Sequence, residues 1–470
     1  MIIDRMHAWL ATFSGNFQLD VLANPKVVES VEQSLADHGL REERKMPLKA
    51  PLVFWLVILL ALRRDRSVPN AFAALVCACR ALVAGLSRKA VTDGGLARAR
   101  QRLGAEPFHT FFLRQAEAEK CPPWFHGLRP CALDGVRLTM PDTDKNRERF
   151  PKQKTGRGKA AWPQMLAVCL LDIATRRLAA ANFDNIHSDE RTLGRQLWEK
   201  LGPHDLLIVD RGFFKTADLW QLDREGRHFV CKLPGNPKFT VLQTYGPGDF
   251  LVELRARCPL AEGEEPEPRR GRRGKTKKIR LLVRLIAYRI NGVEHRLLTN
   301  VRDRSLTPAE LADLYHWRWD VELAYDELKV HFMAVIHGKA KTVFRSKSPA
   351  LVEQEFWAML SAYNLVRGLM AEAAKTRHLD PLKLSFTDSL AVIEDSLGRI
   401  QRAAAVELPS LHRQLLRDLA ECRLDRPRRE RQCPRVVKVK MSNFPVKQAH
   451  HHGSRIVLRI ELTKCLKSAS

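Results

Sequence analysis

Apolar residues in the first hundred positions recur at helical spacing, which predicts helices over about 25–38, 49–64, 69–84 and 93–103. Pro25 follows Asn24, an N-cap and first-turn pair suited to opening the first of them. Residues 50–62, between Lys49 and Arg63, are an unbroken apolar run. It is shorter than the ~20 residues of a membrane span and reads as a buried helix. From about residue 128 the pattern changes to short apolar runs typical of strands, at 131–138, 165–172, 178–183, 206–209 and 229–233. A turn fits 174–177, and helical stretches fit 190–201 and 215–222. Three strands, helix, strand, helix, strand is the order of an α/β sheet that begins as an antiparallel meander. A β-rich block over 235–300 follows, containing FTVLQTY and IRLLVRLIAYRI. Helical periodicity returns at Thr307, where Thr-Pro-Ala-Glu supplies an N-cap, a proline in the first position and a glutamate in the third. That helix is expected to run to about residue 330, and a second long one to cover 350–374.

Charge narrows the partners. The 470 residues carry 79 Lys and Arg against 53 Asp and Glu, a net charge of +26, so the natural partner is a polyanion. A 45% hydrophobic content excludes disorder throughout, and the length fits about three globular units. In LARARQRLG, residues Arg98, Arg100 and Arg102 read as a solvated helix end, where cations suit the dipole. EGEEPEP followed by RRGRRGKTKKIR reads as a solvated loop that can also grip DNA backbone, and the tail over 423–440 is basic. Ten cysteines without a CxxC or a paired Cys/His spacing give no structural zinc site, and His450, His451 and His452 match no metal-ligand spacing. The opening MIIDRMHAWLATFSGNF lacks the apolar core of a secretion signal, so a cytoplasmic location is expected. No stretch joins an extended basic face to enough apolar area for membrane-surface binding.

Three carboxylates need explaining. Asp134, in CALDGVRLTM, shares a strand face with Ala132, Val136 and Leu138. Asp210 ends the apolar strand LLIVD, at the carboxyl end where open α/β sheets bind ligands. Each has a structural alternative: Asp134 as the start of a turn with Gly135, Asp210 as a cap. On an ideal helix Tyr315, Arg318, Glu322 and Lys329 share an arc of about 60°. Leu314, Trp317, Val321, Ala324 and Leu328 form a separate core stripe, although Arg318 and Glu322 also fit an ordinary i,i+4 ion pair.

Tyr315, Arg318, Glu322 and Lys329, in LYHWRWDVELAYDELK, match the Y-x2-R-x3-E-x6-K signature, and the chain resembles the insertion sequence 4 family of DDE transposases. Asp134 in LDG and Asp210 in IVDRGFF match that family's first and second catalytic acids; RKMPL, LARARQRLG and QEFWAMLSAYNLVR also look like it. The resemblance implies an α/β fold: an RNase H-like catalytic domain over 126–375 with a β-rich insertion at 235–300, a helical DNA-binding domain over 1–125, and a helical and basic region over 376–470. It implies that Asp134, Asp210 and Glu322 are catalytic and bind metal, two Mg²⁺ ions with Mn²⁺ as a substitute. It further implies that Tyr315, Arg318, Lys329 and Arg211 bind DNA. The expected activity is cut-and-paste transposition of an insertion sequence, acting on transposon-end DNA and target DNA as a synaptic homodimer. The alternatives are a DNA-binding regulator without catalysis and a structure-selective nuclease on the same core.

Overall fold

The computed structural model of the protein describes residues 25–40, 48–62, 67–78, 91–118, 120–155, 158–235, 237–260, 268–269, 272–273, 276–290, 292–331, 342–400, 407–424 and 460–462. Residues 79–84, EGEEPEP up to its last proline, Arg270, Lys275, most of the basic tail and His450 to His452 lie outside them. The chain forms helices α1 (Pro25–Asp37), α2 (Ala50–Leu62), α3 (Val68–Ala78), α4 (Asp93–Leu103) and α5 (Glu106–Ala118). Strand β1 (Arg129–Thr139), helix α6 (Asp144–Arg149) and the small hairpin β2 (Lys154–Thr155) and β3 (Gly158–Lys159) come next. Then follow β4 (Gln164–Asp172), β5 (Leu178–Asn185), α7 (Glu190–Trp198), β6 (Asp205–Val209), α8 (Thr216–Arg224) and β7 (His228–Lys232). The expected β-rich block comprises β8 (Phe239–Gly246), β9 (Asp249–Pro259), β10 (Pro268–Arg269), β11 (Arg272–Arg273), β12 (Thr276–Ile290) and β13 (Val293–Thr299). Helices α9 (Pro308–His316), α10 (Asp320–Asp326), α11 (Pro349–Thr376), α12 (Phe386–Ile400) and α13 (Leu408–Glu421) follow, and β14 (Ile460–Leu462) closes the order.

Contacts divide the chain into two compact units, the first Met1–Pro122, Leu133–Lys200 and Asp320–Arg423, the second Pro123–Ala132, Leu201–Trp319 and Leu424–Ser470. In the first, the strands lie in the order β5, β4, β1, with β4 and β5 antiparallel as the meander requires. Helix α2 is apolar on every side and buried accordingly, as the uninterrupted run demands. Both α2 and α5 pack on α11, and Phe54 stacks on Phe108 with centroids 4.2 Å apart. Arg100 is not solvated. It is buried, its Nε donating to Gln354 Oε1 at 2.9 Å and its guanidinium pairing with Glu355 at 3.4 Å. A cation late in a helix could be read for its own dipole, but partners 254 and 255 positions away are invisible locally.

The turn between β4 and β5 carries a second buried cluster. Asp172 Oδ1 accepts from the backbone and hydroxyl of Thr175, and Arg176 adopts a left-handed φ of 56°. That conformation costs a non-glycine residue on the order of 1 kcal/mol. The guanidinium it aims inward donates to Asp320 at 2.9 and 2.7 Å and to Glu327 at 3.4 Å. Glu327 also pairs with Arg367 and accepts from the Tyr363 hydroxyl at 3.0 Å. Burial pushes the Glu327 carboxyl up, but Arg367 and Arg176 outweigh it and hold the acid below its ordinary range. One turn along α11, the Asn364 amide brackets the backbone of Leu178 with two bonds of 2.9 Å.

In the second unit the strand order is β6, β7, β13, β12, β9, β8, with β14 also on β12; β6 and β7 are parallel, and the ladders from β7 through β8 are antiparallel. Arg129 at the head of β1 is fixed by a buried pair with Asp205, 2.7 Å away. The capping box at Thr307 and Glu310 forms as written in the sequence. The single helix expected from Thr307 to about residue 330 does not: α9 stops at His316, Trp317–Trp319 is a 3-10 turn, α10 resumes, and Glu327–His331 is a π turn. The 60° arc therefore does not hold across the break, because tighter and wider turns change the angle per residue. The resumed helix commits Asp320, and the π turn commits Glu327, to the buried Arg176.

Candidate active site

Asp134 lies within β1, half-buried on the face of the buried Ala132, Val136 and Leu138. The strand runs on through Gly135, so the two residues do not form a turn. The Gly135 N–H donates to Asp134 Oδ1 at 2.9 Å. The hydroxyl of Tyr325, a residue the signature does not include, donates to the Asp134 backbone carbonyl at 2.5 Å and accepts from the Cys169 N–H at 3.2 Å. Tyr325 stands one turn beyond Glu322 on α10, where i and i+3 are surface neighbours. The helix that carries Glu322 is thus fastened to the backbone of Asp134, and Glu322 itself is exposed in the first turn.

Beside Asp134 a cavity of about 490 Å³ is lined by Gly135, Arg137, Ser188, Glu190 and Lys329. Glu190 opens α7. A Cβ built on Gly135 would meet the Oε1, Cδ and Cγ atoms of Glu190, the far end of a flexible side chain that lies against this glycine. Burial and then the charge of Asp134 push the Glu190 carboxyl up, with the Gly135 N–H and Arg137 partly offsetting them. Lys329, on the π turn, is half-buried; burial pulls its ammonium down while Asp326 opposes the shift. The signal for Glu190 in the sequence is faint: a glycine in mid-strand marks a close approach, without saying by what.

In the second unit Asp210 follows β6 at the N-cap position of the short 3-10 turn Arg211–Phe213, but its side chain makes no cap bond there. Its Oδ1 instead accepts from the Tyr315 hydroxyl at 3.1 Å. Burial, then Asp210, raise the Tyr315 phenol far above its ordinary value, while Arg318 pulls the other way. Tyr315 and Arg318 are both buried, and Arg211 is exposed. Asp134 and Lys329 therefore share one cavity, while Asp210, Tyr315 and Arg318 form an electrostatic cluster in the other unit.

Among the described residues, no group of three or more His, Cys, Asp or Glu stands close enough to hold one metal ion. The fit to a divalent cation rests on the chemistry of the donors: Asp134 and Glu190 line one cavity and offer hard carboxylate oxygens. Oxygen donors of this kind suit Mg²⁺ or Mn²⁺.

Residues 126–365 match the family described as Transposase DDE domain, and residues 16–113 match Insertion element 4 transposase N-terminal. The chain is 32% identical over 430 residues to Transposase InsG for insertion sequence element IS4 of Escherichia coli, covering 89% of this chain and 91% of that one. It is 24% identical over 267 residues to Putative transposase InsZ of Escherichia coli, covering 53% and 85%. Among solved structures, a piggyBac transposase synaptic complex with hairpin DNA covers 86% of this chain and 85% of its own at 10% identity and a TM-score of 0.41, too remote to place a residue. No helix of the described residues is long and apolar enough to cross a membrane. With one family match across both halves of the strand-rich region, another over the N-terminal helices and a relative matched nearly end to end, the chain belongs to the IS4 family of DDE transposases.

Proposed function

We propose that Asp134, Asp210 and Glu322 are the carboxylates with which this transposase cleaves element-end DNA and transfers its strands. The core is RNase H-like over 126–375, with 235–300 inserted; residues 1–125 bind DNA, and the helical and basic region 376–470 follows. The observation that carries the assignment is the Tyr325 bond, which ties the helix of Glu322 to the backbone of Asp134. Two residues picked from different motifs are joined by a third that neither motif names.

These acids would hold two divalent cations, Mg²⁺ with Mn²⁺ as a substitute, which when bound stabilise charge on the attacking and leaving oxygens of an in-line displacement. Hydrolysis at an element end breaks a P–O bond and frees a 3′-hydroxyl. That hydroxyl attacks a target phosphodiester, and the target's own 3′-oxygen leaves as the new bond forms. Tyr315 orients Asp210 through its hydroxyl. Arg318, Lys329 and Arg211 supply positive charge to the phosphates, positioning DNA without reading its sequence. Joining two ends requires that both be held at once, by a homodimer assembled on DNA in the cytoplasm.

The test is the set of amides Asp134→Asn, Asp210→Asn and Glu322→Gln, which keep size and remove charge. Each should bind end DNA as the wild type does and cleave it at background rates in Mg²⁺. A folded amide variant that cleaves at the wild-type rate excludes that residue as essential.

A further inference from the structure

We propose that Arg176 is a positioning residue of the transposition reaction: its buried guanidinium grips Asp320 and Glu327, at the two ends of the segment that leads from Glu322 to Lys329, and so fixes where Glu322 stands. The inference rests on the role proposed above for Glu322 and adds a residue that lies far outside the signature. Three observations support it. The first is the geometry of the grip. Asp320 opens α10 and Glu327 opens the π turn that bears Lys329, and both acids are buried, as is Arg176. Residues seven apart on a helix differ by about 20°, so the two acids lie on one side of the segment. Glu322, two residues after Asp320, is turned about 200° from it and is exposed. The segment is held by one side and offers Glu322 on the other.

The second is the backbone of Arg176. Its φ of 56° is left-handed, a conformation that side chains rarely adopt. A turn that had only to reverse the chain would be served better by glycine or asparagine. Instead the Asp172 carboxylate holds the turn through the Thr175 N–H and hydroxyl, and the residue that follows is the one whose planar fork can meet two carboxylates at once. Outliers of this kind persist where the surroundings over-determine them, and they gather at functional sites.

The third is that stability alone does not account for the cluster. A buried ionic cluster is a weak stabiliser, since apolar groups of the same volume are often as good or better. What it supplies is register. If the segment slid or turned by one residue, two buried carboxylates would lose their partner. The irregular winding that begins at Glu327 is consistent with a segment set by its contacts, and π turns inside helices are frequent at functional sites.

The experiment measures single-turnover cleavage of an end-DNA duplex at saturation, and DNA affinity by anisotropy, on the full chain. Rates are referred to the fraction of protein that binds DNA stoichiometrically, so that an unfolded fraction does not lower them. The double variant Arg176→Met, Asp320→Asn removes the grip on α10 and leaves Glu327 paired with Arg367, which keeps the remaining charges balanced. Arg176→Lys keeps the buried charge and replaces the fork by a point donor. The double variant should bind end DNA with wild-type affinity and cleave about 10- to 100-fold more slowly, the size of effect that follows loss of a group orienting a ligating residue. Arg176→Lys should fall between it and the wild type. That split between rate at saturation and affinity is one that a merely structural arginine would not produce. Cleavage at the wild-type rate in the double variant, alongside lost cleavage in Glu322→Gln, would overturn the role of Arg176 alone. Cleavage at the wild-type rate in Glu322→Gln would overturn it together with the assignment of Glu322.

Discussion

Tyr325 donates its hydroxyl to the backbone carbonyl of Asp134 at 2.5 Å while accepting from Cys169 N–H at 3.2 Å, so one buried side chain on α10 pins two neighbouring strands. Tyr325→Phe keeps the ring and deletes both bonds. The expected stability loss is about 1 to 3 kcal/mol, the cost of leaving buried backbone groups unpaired. Cleavage is expected to fall further than stability explains, by about 10- to 100-fold, because partners that orient ligating groups carry effects of that size. Single-turnover cleavage with denaturant titration on the same sample separates the two. A variant that loses stability and retains the wild-type cleavage rate makes Tyr325 purely structural.

Glu327 joins Arg176 of the β4 to β5 turn to Arg367 of α11. Removing one member of a buried ionic cluster strands its partners, at about 3 to 5 kcal/mol. Glu327→Gln is expected to destabilise the first unit by that order. Because the π turn bearing Lys329 begins at Glu327, the same change is expected to weaken DNA cleavage. Chemical denaturation reads the first effect. A loss under about 1 kcal/mol would mean that water or a neighbouring group takes over the arginines.

Much of the fold is legible locally because its determinants are local. The Thr307 capping box is written in four residues and forms. The strands at β1, β4, β5, β6 and β7 follow from apolar runs, as does the wholly buried α2. What is not legible depends on partners distant in sequence. The break at Trp317 and the π turn at Glu327 accompany Asp320 and Glu327 reaching Arg176, more than 140 positions earlier. Arg100 reads as solvated until Gln354 and Glu355 are beside it. At the site, Asp134 is conspicuous as an acid on an apolar strand face. Glu190 looks like an ordinary first-turn acid, because only the fold brings it against Gly135.

His228, His295 and His316, all in the second unit, lie below their ordinary value of 6.5, in each case chiefly because burial penalises the imidazolium. Lys232 adds to the effect on His295 and His316, His204 to that on His228, and Asp313 and Asp223 oppose it at His316 and His228. The unfolded chain therefore binds more protons than the folded one just below pH 6.5. Stability from these groups is complete above that pH and is lost as pH falls toward the folded values. The thermal midpoint is expected to drop between pH 7.5 and 5.5, and His316→Gln should make the drop shallower. An equal drop in the variant would place the titration elsewhere.

A net charge of +26 should be expressed in how the protein holds DNA. Each neutralised phosphate releases counterions, so log affinity falls with log salt at a slope of roughly −0.9 per contact. Lys329 is half-buried on the wall of the Asp134 cavity, where its ammonium can meet a single phosphate beside the scissile bond. Lys329→Gln is expected to reduce the magnitude of the salt slope by about 1 and to weaken binding equally on every end sequence. Lys329→Arg keeps the charge and should restore the slope, even where the wider guanidinium slows cleavage. Fluorescence anisotropy on a series of end duplexes between low and physiological salt measures both quantities. A Lys329→Gln variant with an unchanged slope and an altered sequence preference would move Lys329 from the phosphate to a base edge, because only a base contact discriminates between sequences.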